Sequence, residues 1–369
     1  MDCFYAAVHM RDDPSLAGKP VVIGGDPASR GVVAAANYEV RKFGVHSAMP
    51  SSRAKRLCPQ AIFIKPDFPR YVKESEAIFA IYRELTPVIE TLSLDEAYLD
   101  VTDHLGAFPT ATALAKEIRR RVREERQLTV SIGVAPNRLV AKIASDFKKP
   151  DGLTVVPPEK VLDFLSPLPV RRLHGVGPAG EKALHEMGVQ TVAELRTVDR
   201  DALTARFGKW GEVLYHFARG EDERPVLTHR ERKSLGQERT YAADLTERAF
   251  MEAELEKMAA RVAEGLAKRG LRARTVTLKV RYDDFTTITR SHSLPEPLSD
   301  GREIARWAAE LLAGTEAGAR PVRLLGVSTS NLLKPGEAHQ GTPQLELFAE
   351  SASAYPPAHD VEIPGGSHG

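Results

Sequence analysis

Two adjacent carboxylates, Asp95 and Glu96, separate two short apolar segments within residues 88–101. The second segment carries apolar side chains at alternate positions of residues 97–101, which predicts a strand leaving a hairpin turn. Adjacent carboxylates at such a turn repel each other, and a divalent cation that takes hard oxygen ligands would offset that repulsion. The pair therefore indicates either a metal site or a solvated hairpin tip.

A second candidate pair, Tyr38 and Arg41, lies in a short predicted helix that ends at Gly44. Residues three apart share one face of a helix, so the phenol and the guanidinium are expected side by side. Arginine can bind phosphate oxygens bidentately, which suits a phosphate chain. On these two residues alone, a surface Tyr–Arg stack without a ligand is the simpler interpretation.

A basic segment, residues 268–281, contains six cations and no acidic residue. Its members are Lys268, Arg269, Arg272, Arg274, Lys279 and Arg281. We expect them to form a strip on a sheet edge that binds the phosphate backbone of a nucleic acid. A solvated basic surface is the alternative.

The turn between two predicted helices contains Gly175 and Gly177 in the sequence Gly-Val-Gly. Backbone N–H groups at the start of a helix can bind one DNA phosphate, and the pattern resembles a helix-hairpin-helix motif. An ordinary tight turn between helices is the alternative interpretation.

Length and composition limit the classes of protein that must be considered. The chain has 369 residues, 51 basic against 50 acidic residues and a net charge of +1, so its global charge indicates no partner. Its length predicts two to four domains at roughly 100–200 residues each. Cys3 and Cys58 form neither a metal pattern nor a disulfide framework, and no long apolar segment occurs. A cytoplasmic protein is the simplest expectation.

The elements that position these residues can be predicted in chain order. Residues 1–8 are typical of the end of a strand, and strands and helices then alternate around one sheet, with an insertion over residues 12–67. Residues 234–334 predict a βαββαβ domain with one long amphipathic helix. The inward side chains of that helix are Phe250, Leu255, Met258, Val262 and Leu266. Residues 335–369 have the composition of a disordered tail.

Together these segments resemble the Y-family translesion DNA polymerases over nearly the whole folded chain. Four blocks carry the resemblance: residues 2–8 (DCFYAAV), 36–45 (ANYEVRKFGV), 93–100 (SLDEAYLD), and 131–135 (SIGVA) with 142–152. The family implies an α+β, multidomain right-hand polymerase. It has a ferredoxin-like palm, small fingers, a helical helix-hairpin-helix thumb and a βαββαβ little finger.

The resemblance implies domain boundaries, which we state as expectations. They are palm 1–11 and 68–156, fingers 12–67, thumb 157–222, linker 223–233, little finger 234–334 and tail 335–369. The implied activity is error-prone, template-directed DNA synthesis past damaged bases. The expected partners are primer–template DNA, deoxynucleoside triphosphates and a sliding clamp, with no membrane, and the chain is expected to act as a monomer.

The resemblance also implies roles for individual residues. Asp95 and Glu96 match carboxylates that bind two Mg²⁺ ions, with Glu96 supporting the metal at the primer 3′ end, and Tyr5 matches an aromatic steric gate that excludes a 2′-hydroxyl. Tyr38, Arg41 and Lys149 match residues that hold the incoming triphosphate. The thumb glycines and the basic strip would hold duplex DNA. Clamp docking is implied for Gln344, Leu345, Leu347 and Phe348, within the segment QLELF.

One family position has no counterpart in the sequence. The family pattern places a metal-binding aspartate two positions before Asp2, which is upstream of Met1. On a strand Asp2 would lie about 6–7 Å farther along, too far to replace that ligand. We expect that the protein begins upstream. A chain without this residue would instead be a catalytically impaired, clamp-tethered DNA-binding protein.

Overall fold

The computed structural model of the protein describes residues 1–229 and 231–334. Backbone contacts divide the chain into two compact units. The first contains the described residues of Met1–Arg232 together with Thr240–Asp244, and the second contains Lys233–Arg239 and the described residues from Leu245 onward. None of the helices in the described ranges has the length and apolar content needed to cross a membrane.

The first unit begins with an alternation of strands and helices. In chain order these are α1 (Phe4–Asp12), β1 (Val21–Gly24), β2 (Val33–Ala36), α2 (Tyr38–Arg41), α3 (Ser51–Leu57), β3 (Ile62–Ile64), α4 (Phe68–Leu85), β4 (Ile89–Thr91), β5 (Ala97–Leu99), α5 (Ala111–Arg126), β6 (Ile132–Val134), α6 (Arg138–Phe147) and β7 (Leu153–Val155). The inserted segment has its own three-stranded sheet, in the order β2-β1-β3. It also has a separate small core that includes Val22, Val40 and Ala54.

The expected single palm sheet is wrong for the described chain, which forms two separate strand pairs. Strands β4 and β5 are antiparallel, and β6 and β7 are parallel. A cavity of ≈ 410 Å³ is lined by β5, by β6 and by apolar side chains that include Leu114 and Ile118 of α5. Strands β5 and β6 both line this cavity but do not pair with each other. Each therefore has a backbone edge without a partner strand on the side of the cavity.

The prediction of a strand over residues 1–8 is also wrong, because the chain enters helix α1 at Phe4. Phe4, Ala6 and Val8 are buried in the core while the residues between them are partly exposed. This alternation imitates the two-residue period of a strand. Helix α1 packs against the inserted strands β1 and β2 and contributes to the core around Tyr71 of α4. Because α1 packs against the protein on more than one side, its buried residues do not show the period of a helix.

The remainder of the first unit is helical. It contains α7 (Val161–Leu165), α8 (Pro178–Glu186), α9 (Val192–Thr197), α10 (Arg200–Phe207) and α11 (Lys209–Ala218). The segment before the Gly-Val-Gly turn forms only the 3₁₀ turn Val170–Arg172, so the helix predicted on that side is wrong. The side chains of Leu173, Leu184 and Leu214 bury this turn and its neighbouring helices in one core.

The second unit has the predicted βαββαβ order. Its elements are β8 (Ser234–Leu245), of which Thr240–Asp244 is assigned to the first unit, α12 (Arg248–Ala267), β9 (Arg272–Tyr282), β10 (Thr287–Leu298), α13 (Gly301–Ala313) and β11 (Val322–Leu333). The strand order is β10-β9-β11-β8, so β9 is an inner strand and its expected position at a sheet edge is wrong. Leu255, Met258, Val262 and Leu266 are buried as expected, whereas Phe250 is 48 % exposed and Met251 is buried instead.

Candidate active site

The acidic pair lies at a hairpin turn, as the alternation of apolar residues predicts. Strand β4 pairs with β5 in the register Ile89 to Leu99, and the backbone N–H of Leu92 donates to the Glu96 carbonyl over 2.9 Å. The Ser93 hydroxyl donates to a carboxylate oxygen of Asp95 over 3.0 Å. Both acidic side chains are therefore presented at the end of a short, register-fixed hairpin.

Positive groups from distant parts of the chain surround the acidic pair. Lys142 of α6 forms an ion pair with Glu96 at 2.6 Å. The α-amino group of Met1 lies 2.9 Å from the Asp95 carbonyl oxygen and 3.6 Å from its carboxylate. The Lys142 ammonium reduces the repulsion between the two carboxylates and holds the end of the Glu96 side chain in place.

The donor atoms of this pair fit a magnesium ion. The Asp95 and Glu96 side chains offer only oxygen atoms and are 27 % and 39 % exposed. Mg²⁺ prefers oxygen ligands and commonly takes one or two carboxylates together with phosphates of its substrate. No group of three or more His, Cys, Asp or Glu side chains among residues 1–229 and 231–334 could hold a metal ion. An ion at this turn would therefore need further ligands from a bound phosphate chain or from water.

The predicted phosphate-binding side chains Tyr38 and Arg41 are brought together by helix α2. The Arg41 guanidinium lies 5.0 Å from the centre of the Tyr38 ring, which confirms the side-by-side placement expected from their spacing. Asn37 caps this helix by accepting from the Val40 N–H. The Lys149 ammonium donates to the Met1 carbonyl over 3.5 Å and forms an ion pair with Asp146 at 3.1 Å.

Asp2 is buried, and its carboxylate lies among hydrogen-bonding groups of the protein. Its carboxylate accepts from the Ser131 hydroxyl at 2.7 Å and from the Asp151 N–H at 2.8 Å, and the Tyr38 hydroxyl lies 3.4 Å away. Burial, followed by the charge of Asp2, raises the pKa of Tyr38. Asp2 therefore connects the start of α1 to the residue before β6, to the loop before β7 and to Tyr38.

Tyr5, the candidate steric gate, lies in the first turn of α1 and stacks on Tyr71 of α4. The ring centres are 4.2 Å apart and the planes differ by 14°. Phe68 contacts Tyr5 edge-on at 5.9 Å. Burial and then the charge of Asp95 raise the pKa of Tyr5.

The two glycines of the thumb turn have different surroundings. Gly175 has a φ of +93°, and a Cβ added there would lie 2.5 Å from the Trp210 ring. Gly177 precedes α8 in extended conformation, and a Cβ added there would meet no atom within 4 Å. The fold requires glycine at 175, whereas the open space at 177 permits close approach of a ligand to the backbone.

The six cations of the basic segment do not form one continuous strip. In β9 the even-numbered residues Val276, Leu278 and Val280 are fully buried, so Lys279 and Arg281 point to the opposite face. Toward the start of β9 the buried residues are instead Ala273 and Thr275, and Arg272 is exposed. The guanidinium groups of Arg272 and Arg274 donate to the backbone carbonyls of Pro297 and Leu294 in β10.

The remaining two cations, Lys268 and Arg269, follow helix α12 and are exposed. Arg269 donates to the Gly265 carbonyl over 2.9 Å, within the last turn of that helix. The expected strip is therefore divided among the two ends of β9 and the end of one helix.

Several residues at the site were not expected from the sequence. Lys142 and Glu96 are separated by 46 positions, and His9 and Tyr71 by 62, so no local pattern indicates either contact. The clamp-docking residues predicted in the sequence fall outside the described residues. They are Gln344, Leu345, Leu347 and Phe348.

Family models match three parts of the chain. Residues 1–146 match the impB/mucB/samB family, and residues 232–347 match the C-terminal domain of the same family. Residues 171–222 match the thumb domain of DNA polymerase-iota. These ranges include the acidic hairpin, the thumb turn and the basic segment.

Curated relatives are similar over almost the whole chain. A DNA polymerase IV of Alkalilimnicola ehrlichii is 52 % identical over 342 residues, covering 92 % of this chain and 96 % of the relative. A DNA polymerase IV of Gluconobacter oxydans is 48 % identical over 330 residues, covering 89 % and 92 %.

Solved structures give a consistent result. A Y-family DNA polymerase chimera of Dbh and Dpo4 superposes with a TM-score of 0.83 at 29 % identity, covering 90 % of this chain and 97 % of that one. An insertion ternary complex of Dbh DNA polymerase has a TM-score of 0.63 with the same coverage.

Proposed function

Because the chain belongs to the Y-family DNA polymerases, the impB/mucB/samB family, we propose that its acidic hairpin catalyses nucleotidyl transfer with two Mg²⁺ ions held by Asp95 and Glu96. The protein is a DNA-directed DNA polymerase that performs translesion synthesis, with the α+β right-hand fold of that family. The observation that carries the proposal is the pair of adjacent, partly exposed carboxylates at a register-fixed turn.

Each residue near the turn has a definite task in this proposal. Asp95 and Glu96 would hold the divalent ions, which when bound would neutralise the triphosphate and lower the pKa of the attacking 3′-hydroxyl. Lys142 orients the Glu96 carboxylate through its ion pair. Transfer then requires only that the primer end and the triphosphate are positioned correctly, since the protein forms no covalent bond to either.

The incoming nucleotide is held by side chains from two parts of the chain. Tyr38 and Arg41 bind the phosphate chain from helix α2, with the guanidinium forming charge-assisted hydrogen bonds to phosphate oxygens. Lys149, whose ammonium lies beside the Met1 carbonyl, adds a compact positive charge. Tyr5 lies under the sugar, where its ring would collide with a 2′-hydroxyl. Glycines 175 and 177 present the start of α8 to one DNA phosphate.

Primer extension tests this assignment. We would compare this chain with an extended chain, defined as this sequence preceded by the strand and aspartate that the family pattern places before Asp2. Template-directed, Mg²⁺-dependent extension by the extended chain is expected. Extension that persists after chelation of all divalent ions would contradict the two-metal proposal.

The proposed DNA-contact surface of the second unit is the sheet face that carries Lys279 and Arg281. Replacing both by glutamine should reduce the salt dependence of duplex binding by about two units in the slope of log K against log salt, since each phosphate contact contributes about 0.9. Binding would be measured by fluorescence anisotropy at several salt concentrations.

Two arginines at even-numbered positions of β9, Arg272 and Arg274, provide the matched control. Replacing Arg272 and Arg274 by glutamine removes the same charge but should leave the slope unchanged, because their guanidinium groups donate to backbone carbonyls of β10. Lys279 instead pairs with the exposed Glu238 carboxylate, which a phosphate can replace. If the control pair lowers the slope and the Lys279/Arg281 pair does not, the DNA lies at the other end of β9.

We further propose that the polymerase acts in the cytoplasm as a monomer tethered to a sliding clamp by residues 344–348. Tethering raises the effective concentration of the enzyme at the primer end without new contacts to DNA. Leu347 and Phe348 are the proposed apolar anchors, with Leu345 beside them and Gln344 supplying a directional hydrogen bond.

Replacing Leu347 and Phe348 by alanine should abolish clamp-stimulated synthesis and leave clamp-free synthesis unchanged. Both rates would be measured on the same primed template with and without loaded clamp. An equal fall in the two rates would show that these side chains belong to the folded body of the polymerase.

A further inference from the structure

His9 makes a hydrogen bond that the proposed reaction does not use. Its Nε2 lies 2.8 Å from the hydroxyl oxygen of Tyr71, and the two rings meet edge-on at 5.8 Å. Tyr71 is completely buried, so its hydroxyl has lost contact with water. A buried hydroxyl without a partner is unfavourable, and His9 supplies the partner.

Tyr71 is also the ring on which the proposed steric gate rests. Tyr5 stacks on it at 4.2 Å and 14°, so the Tyr71 ring fixes the plane and height of the Tyr5 ring. Tyr5 and His9 are four residues apart in α1 and therefore lie on one face of that helix. Two residues one turn apart in α1 therefore contact Tyr71: Tyr5 stacks on the face of its ring, and His9 forms a hydrogen bond with its hydroxyl.

The environment of His9 keeps its ring neutral. Burial and then the charge of Arg70 hold the pKa of His9 below its ordinary value, with a smaller opposing effect from Asp67. Both charged residues lie at the start of α4, beside Tyr71. A neutral ring can make a hydrogen bond to the hydroxyl without placing a charge against the aromatic cluster.

We propose that His9 is a positioning residue for sugar selection, acting through the Tyr71 hydroxyl on the ring of Tyr5. This inference rests on the proposed role of Tyr5 as the steric gate. Exclusion of a 2′-hydroxyl depends on the position of the Tyr5 ring to within a fraction of an ångström, as steric selection generally does. Without His9 the Tyr71 ring can shift or rotate. The Tyr5 ring that stacks on it is then no longer held in one position.

The test measures the ratio of catalytic efficiencies for a deoxynucleotide and the matching ribonucleotide in the extended chain. His9→Ala and Tyr71→Phe should each lower this ratio roughly three- to tenfold, the range set by loss of one hydrogen bond. The double variant should lower it no further, because both changes remove the same bond. His9→Gln, which can still reach the hydroxyl, should restore most of the ratio.

General damage to the fold has a different signature, because it lowers both efficiencies together and reduces the free energy of unfolding in urea. The inference is overturned if Tyr5→Ala lowers the ratio while His9→Ala and Tyr71→Phe leave it unchanged, or if the effects of the two single changes add. If Tyr5→Ala itself leaves the ratio unchanged, the steric-gate proposal fails and the role of His9 fails with it.

Discussion

Replacing Asp95 by alanine is expected to abolish nucleotide addition by the extended chain while duplex binding stays within a few fold. The Asp95 carboxylate lies at the hairpin turn, where the Ser93 hydroxyl donates to it. Its loss removes stabilisation of transition-state charge worth several kcal/mol, which corresponds to about 10³-fold or more in rate. Single-turnover primer extension and anisotropy would give the two values.

Asp100 provides a matched control for this experiment. It belongs to the same hairpin, but its carboxylate accepts from the N–H and hydroxyl of Thr102. Asp100→Ala should therefore keep nearly full activity. Appreciable primer extension by the Asp95 variant, or equal losses of extension rate in both variants, would show that Asp95 is not a catalytic residue.

The second large effect is expected from Tyr5→Ala, which should admit ribonucleotides. Truncation removes the ring that stacks on Tyr71 and leaves space where a 2′-hydroxyl would otherwise collide. Collisions of this size cost about 1–3 kcal/mol, so the ratio of efficiencies for deoxy- and ribonucleotides should fall about 10- to 100-fold. The ratio is measured from single-nucleotide incorporation.

Tyr5→Phe separates the ring from its hydroxyl. The ring alone causes the steric exclusion in this proposal, so the phenylalanine variant should retain the parent ratio. A loss of selectivity in Tyr5→Phe as large as in Tyr5→Ala would instead assign the selection to the hydroxyl.

Local features of the site were predictable because their signals are local. The hairpin of β4 and β5 follows from two short apolar segments around an acidic turn, the second with apolar residues at alternate positions. The contact between Tyr38 and Arg41 follows from their spacing in a helix. Residues that are close in sequence are placed together correctly once the single helix or hairpin that contains them is predicted correctly.

Features that depend on several elements were predicted less well. The order of strands β9 and β10 in their sheet is not encoded in the order of the chain, so the inner position of β9 was missed. The division of the basic segment could have been found, since Arg274 lies near the start and Lys279 toward the end of one extended strand. Helix α1 was missed because burial on more than one side gives alternate residues the period of a strand.

The two glycines of the thumb turn should diverge differently over evolution. Gly175 is required by the Trp210 ring and by its positive φ, whatever the protein binds. Nothing in the first unit's described residues requires glycine at 177, so only a ligand that approaches the backbone would select for it. In a lineage that no longer needed to hold DNA, position 177 should accept other residues early, while position 175 stays glycine as long as the domain folds.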